Sequence, residues 1–194
     1  MKHLFSITIF LSFLILTSCS GQQKVADEKQ NSEQTTAEKK PVVTSGDQKN
    51  VTAADIPVYT FEPFQKLLSS ESDTTFIINF WATWCKPCVE ELPYFEAYHE
   101  KYKSEKVKVL LVSLDFPKQI EKKVVPFIND RNLQPEVIIL DEADPNSWID
   151  KVDPEWSGAI PITIIFKGDK RGFFERSFES LEDVEATVAS VVSR

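Results

Sequence analysis

Cys85 and Cys88, with Trp84 before them and Lys86-Pro87 between them, are the residues of this chain best suited to covalent chemistry. They follow an apolar, β-branched run, Phe76-Ile77-Ile78, and open an amphipathic segment. This pattern predicts strand, tight turn, helix, with Cys85 at the helix N-terminus and Cys88 one turn in. The first N–H groups of a helix lack intrahelical partners and carry the positive end of the macrodipole. A sulfur placed there ionises more readily, and the thiolate is the nucleophile. Residues i and i+3 share a helix face, which is compatible with the roughly 4.4–6.8 Å Cα separation a disulfide needs. Such a pair can cycle between dithiol and disulfide with little backbone movement and without a soluble cofactor. Pro87 falls in the first turn, where its missing N–H costs little.

Trp84-Cys85-Lys86-Pro87-Cys88 resembles the active site of the thioredoxin superfamily. The flanking Asn79-Phe80-Trp81-Ala82-Thr83 and Glu91-Leu92-Pro93 resemble its membrane-tethered TlpA/ResA-like branch, and the resemblance spans residues 56–194. It implies an α/β thioredoxin fold, a central mixed β-sheet with helices on both faces, and thiol:disulfide oxidoreductase activity. Cys85 is then the attacking nucleophile and Cys88 the resolving thiol. Proline in the second place of the intervening dipeptide, with no histidine there, resembles the reducing members. Ile160-Pro161 ahead of Ile162-Thr163-Ile164-Ile165-Phe166 matches the superfamily's cis-proline, which packs on the cysteine pair. Ile160 would offer its backbone to an extended substrate. Trp84 is expected to shield the thiols and contact substrate.

Glu91 lies at i+3 from Cys88 and shares its helix face, whereas Glu90 points about 200° away, towards solvent. Relatives in the branch often carry an acid at this place, so Glu91 is expected to tune or deprotonate Cys88; the competing reading is one more surface glutamate. Many cytoplasmic thioredoxins have a buried Asp where this chain has Asn79. Asparagine cannot move a proton, so Asn79 reads as a strand residue satisfying buried backbone. His99 lies about 16 Å along the helix from Cys88, too far to act on the thiols. A zinc site needs about four Cys or His ligands, and the cysteines and histidines do not supply them. Asp141-Glu142-Ala143-Asp144 lacks the glycine and terminal glutamate of an EF-hand loop and reads as a solvated loop. Trp156 either walls the substrate groove or packs in the core, and core packing is equally open to Trp148.

Around the site the chain alternates strands and helices. The expected elements are an edge strand at 58–59, a helix over 60–69 and a buried strand over 75–82. The site helix follows over 87–103, kinked at Pro93. Then come a buried strand over 107–114, a helix over 118–131 disturbed by Pro126, a strand over 137–140 and a weak helix over 144–153. A hairpin of 162–166 with 173–178 turns at Gly168-Asp169-Lys170. The closing helix, 180–192, is capped by Ser180 with Asp183 three residues on.

The 194 residues are 42% hydrophobic, enough for a core. Net charge is −8 without a basic run, which argues against a nucleic-acid partner. Met1-Lys2-His3 and the apolar Leu4 to Leu16 read as a signal segment too short to span a bilayer well. Leu16-Thr17-Ser18-Cys19 resembles a bacterial lipobox, which implies acylation of Cys19 as the mature N-terminus. Ser20 to Asp55 contains no Leu, Ile, Phe, Tyr, Trp or Met and cannot offset its ordering entropy by burial. The expected organisation is a signal peptide at 1–18, a lipidated, flexible tether at 19–54 and a thioredoxin-like domain at 55–194.

The expectation is therefore a lipid-anchored reductase facing the cell envelope. Its partners would be oxidised client proteins, apocytochrome c among them, and a membrane electron donor. The rival classes are a thiol peroxidase, a copper-delivery protein and a non-catalytic binding module. Peroxidases surround their cysteine with Thr and Arg, and Trp84 stands in that approach here. Copper carriers use a wider cysteine spacing and a distal histidine. Intact cysteines argue against the third.

Overall fold

The computed structural model describes residues 50–69 and 72–193. The expected signal segment, Cys19 and residues 19–49 of the expected tether lie outside the described residues. Six strands form one mixed sheet in the order β1-β4-β3-β2-β5-β6. They are β1 Val58–Tyr59, β2 Thr75–Trp81, β3 Val107–Ser113, β4 Glu136–Leu140, β5 Ile162–Lys167 and β6 Lys170–Phe174. The first four run parallel. β5 is antiparallel to β2, and β6 to β5.

Alternation along each strand sends side chains to two cores. Ile77, Trp81, Val109, Leu111, Val137, Ile139 and Ile165 face one. There they meet α2 (Lys86–Tyr102), α3 (Val125–Arg131) and α5 (Leu181–Val192) through Cys88, Leu92, Phe95, Ile128, Val184 and Val188. Ile78, Phe80, Leu110, Val112, Ile138, Ile162 and Ile164 face the other, against α1 (Phe61–Gln65) and α4 (Ile149–Val152). Both faces being covered explains why β2 and β5 read as continuous apolar runs. This is the thioredoxin-type arrangement expected from the sequence.

α2 runs from Lys86 to Tyr102 with Pro93 inside it. Pro93 has no N–H for the Val89 carbonyl, and the Arg131 guanidinium donates to that oxygen from outside, at 3.4 Å. The expected helix over 118–131 is three pieces: a 3-10 turn at Pro117–Gln119, a π turn at Ile120–Val124, then α3. Pro126 cannot donate back to Lys122, and the widened turn instead bonds Val125 N–H to the Ile120 carbonyl. The hairpin partner strand begins at Lys170 and ends at Phe174, ahead of the expected 173–178. Beyond it Phe178 leaves the sheet and packs edge-on against Phe95, with centroids 5.3 Å apart.

At the N-terminal end of the described chain, Val51 N–H donates to Asn129 Oδ1 and Asn129 Nδ2 donates back to the Val51 carbonyl. Among the described residues no helix is long and apolar enough to cross a membrane.

Candidate active site

β2 ends in the core at Trp81, and the chain turns sharply through Ala82–Cys85, where Cys85 N–H donates to the Ala82 carbonyl at 3.1 Å. Cys85 is the N-cap of α2, and its sulfur accepts from Cys88 N–H at 3.4 Å. A sulfur thus occupies the place where a helix start is most favourable to negative charge. Cys85 and Cys88 are joined as a disulfide with Cα atoms 5.3 Å apart. Cys85 retains 6% exposure and Cys88 none, so an incoming sulfur can reach only the first. Lys86 is exposed and faces Glu90, 3.7 Å away; Glu90 points to solvent as expected.

Asp115 fixes the turn, and sequence reasoning overlooked it. This buried carboxylate accepts from Thr83 N–H at 2.8 Å, Thr83 Oγ1 at 2.6 Å and Ser113 Oγ at 2.8 Å. A signal was available: an acid directly after a buried apolar strand, at the carboxyl ends of parallel strands, where α/β sheets place their sites. Asp115→Asn would set an N–H₂ against converging donors. It is expected to cost about 1–2 kcal/mol and to slow thiol exchange at Cys85. A urea titration with thiol-exchange rates checks this, and an unchanged midpoint and rate would remove Asp115 as the anchor of the turn.

The Ile160–Pro161 bond is cis, with Pro161 buried and Ile160 partly exposed. Cys85 Sγ lies 3.7 Å from the Ile160 carbonyl oxygen, so the loop stands against the disulfide. Trp156 braces that loop from the core, donating through Nε1 to the Ala159 carbonyl at 2.7 Å. Trp156 is 4% and Trp148 5% exposed, and both pack against Phe80 in the core. Trp84 is 62% exposed and borders a shallow groove with Lys122, Lys123 and Phe127. Phe116, 69% exposed, is a second apolar side chain in solvent, on the loop beyond Asp115, and was not anticipated.

Glu91 is 1% exposed, which excludes the surface-glutamate reading. It sits one turn beyond Cys88 on α2. Oε2 accepts from Phe178 N–H at 2.7 Å and Oε1 from Asn79 Nδ2 at 2.8 Å. Burial pushes its carboxyl up to about 7, and the Phe178 and Asn79 donors only partly oppose this. The expectation for Asn79 is corrected: its Nδ2 serves Glu91, Thr163 Oγ1 at 3.1 Å and the Ile162 carbonyl at 3.4 Å. It is thus more than a strand residue satisfying backbone. His99 lies partly buried further along α2, beside the strand starts of β3 and β4. Among the described residues no cluster of His, Cys, Asp or Glu is arranged to hold a metal.

Fold and site together define a thioredoxin-like protein built around a cysteine pair. Residues 52–171 match the AhpC/TSA family, and the chain belongs to that family. It is 31% identical over 94 residues to the thioredoxin-like protein YneN of Bacillus subtilis (strain 168), covering 48% of this chain and 55% of that protein. With the thiol-disulfide oxidoreductase ResA of Geobacillus kaustophilus it shares 36% identity over 72 residues, 37% of this chain and 41% of ResA. The chain thus spans about half the length of the curated relatives it matches. Among solved structures, the thioredoxin-related protein from Neisseria meningitidis serogroup B superposes with a TM-score of 0.55 at 21% identity, over 66% of this chain and 91% of that one.

Proposed function

We propose that this protein is a thiol:disulfide oxidoreductase that reduces disulfides of client proteins. The observation that carries the reading is a cysteine pair with one sulfur capping a helix and keeping a slight exposure, and its partner fully buried behind it. Similarity to relatives named thiol-disulfide oxidoreductases supports it.

In the reduced protein the Cys85 thiolate attacks one sulfur of a client disulfide. A Cys85–client disulfide forms and the client's other sulfur leaves as a thiolate. Cys88, deprotonated by Glu91, then attacks the Cys85 sulfur. The Cys85–Cys88 bond forms, the Cys85–client bond breaks, and the client departs with two electrons gained. The Ile160 backbone receives the client segment beside the sulfur, Pro161 shapes that edge, and Trp84 covers the approach. No soluble cofactor takes part; a membrane electron donor restores the dithiol. The test is reduction of a disulfide-bonded model protein by the dithiol form, with peroxide consumption as the control. Turnover of peroxide without reduction of protein disulfides would favour a thiol peroxidase instead.

The domain is proposed to work outside the cytoplasm, after a signal peptide at 1–18, on a tether at 19–54 anchored by acylated Cys19, with the catalytic domain at 55–194. Apocytochrome c cysteines are among the clients this placement allows. Cys19→Ser is expected to move the protein from the membrane to the soluble fraction with the reductase rate of the domain unchanged. Fractionation with mass spectrometry of the mature N-terminus checks this, and a wild type whose N-terminus carries no acyl chain would defeat it.

A further inference from the structure

Both oxygens of the Glu91 carboxylate face donors: Phe178 N–H on one and Asn79 Nδ2 on the other. That arrangement suits the ionised acid. A protonated carboxyl carries an O–H that needs an acceptor, and a backbone N–H can never become one. Asn79 can. Its amide has a donor end and an acceptor end of nearly the same shape, and its Oδ1 is buried without a hydrogen-bond partner. Thr163 Oγ1, the other side-chain partner of Asn79 Nδ2, is a hydroxyl that accepts or donates equally well.

We propose that Asn79 is a positioning residue whose carboxamide turns with the proton on Glu91, donating to the carboxylate and accepting from the acid. The inference rests on the redox reading above, in which Glu91 takes the Cys88 proton. When the Cys88 S–H gives its proton to Glu91, the Asn79 amide rotates half a turn. Oδ1 then accepts from the Glu91 O–H and from Thr163 Oγ1. Nδ2 moves to the side where Oδ1 stood unpaired. The contact given up is the weakest, to the Ile162 carbonyl at 3.4 Å. The Cys88 thiolate attacks Cys85, and the proton on Glu91 leaves with the departing client thiolate, which returns the amide. The other charged groups acting on Glu91 are Arg176 and Asp183, and they oppose each other. They are also tied to one another by a two-fold Arg–carboxylate contact at 2.7 and 2.8 Å. Asn79, from β2, is therefore the neighbour free to follow the proton.

The direct test is NMR of the full chain with labelled Asn and Glu, between about pH 5 and about pH 9, a range spanning the raised carboxyl. The contact between the Asn79 amide protons and the Thr163 side chain is expected at high pH. It should be lost at low pH with the midpoint of the Glu91 carboxyl carbon. An amide that keeps the contact while Glu91 titrates overturns the proposal, and so does a Glu91 carbon that does not titrate. The second test follows the thionitrobenzoate mixed disulfide at Cys85. In Asn79→Leu its collapse by Cys88 is expected about tenfold slower near neutrality, with the pH midpoint raised by about one unit, and the initial attack by Cys85 unchanged. A uniform slowing of both steps with an unmoved midpoint would mean a merely structural asparagine. Failure of the redox reading would look different: no disulfide would be turned over, while the amide response is read without turnover.

Discussion

Cys85→Ser is expected to abolish reduction of a model protein disulfide, by more than about a thousandfold, the order lost when a covalent nucleophile is removed. Cys88→Ser should instead stall after the first step and accumulate a mixed disulfide on Cys85. The asymmetry follows from position. Cys85 caps α2 and keeps some exposure, whereas Cys88 is closed off behind it. With serine in place of Cys88, the Cys85–client bond has no internal sulfur to break it, so the complex survives until an external thiol arrives. Non-reducing gels and mass spectrometry of whole protein read this directly, and the trapped species identify clients. Alkylation of Cys88 ahead of Cys85 in the reduced wild type would reverse the assignment. The fold should tolerate both changes, because the pair closes a very short loop and so constrains the unfolded chain little.

The parts of this site legible in the sequence are those fixed by local geometry. Strand, turn and helix could be read around Cys85 because the apolar run of β2 stops and a first-turn proline follows. The Ser180 cap was legible because its partner, Asp183 N–H, is three residues away. Glu91 could be placed on the Cys88 face by helical spacing alone. Its burial could not, because the Phe178 N–H that meets it is 87 residues distant and reaches it only after the chain leaves β6. Asn79 was underestimated for the same reason. Its partners come from α2, 12 residues on, and from β5, 83 and 84 residues on. Only the β2–β5 pairing brings Asn79 opposite Thr163. Asp115 meets Thr83 across 32 residues through the β2–β3 register. Periodicity fixes which face a side chain takes; long-range pairing decides what it finds there.

Glu91→Gln is expected to change how stability depends on pH, and the sign is unusual for a carboxylate. In the fold its carboxyl is raised from 4.5 to about 7 by burial, so between those values the native state holds a proton that the unfolded chain has released. Stability from this residue is therefore fully present below about pH 4.5, falls as pH rises to about 7, and is flat above. The loss across that window is roughly 3 kcal/mol. The glutamine of the variant mimics the protonated acid: its oxygen accepts from Phe178 N–H while its amide donates to a turned Asn79. The variant should match the wild type at low pH and exceed it by up to about 3 kcal/mol above neutrality. Taking the difference between the two proteins removes Glu96, whose carboxyl is also pushed up to about 7 by burial. It also removes Asp183, held low by Arg176, which acts in the opposite direction. With Glu91 acting as the proposed base for Cys88, the resolving step of the variant should slow over the same range and lose its pH dependence near 7 while attack by Cys85 persists. Denaturant titrations of both proteins in their oxidised form, across the window, decide the point. A flat difference curve would mean that Glu91 is ionised throughout and is no store for the Cys88 proton.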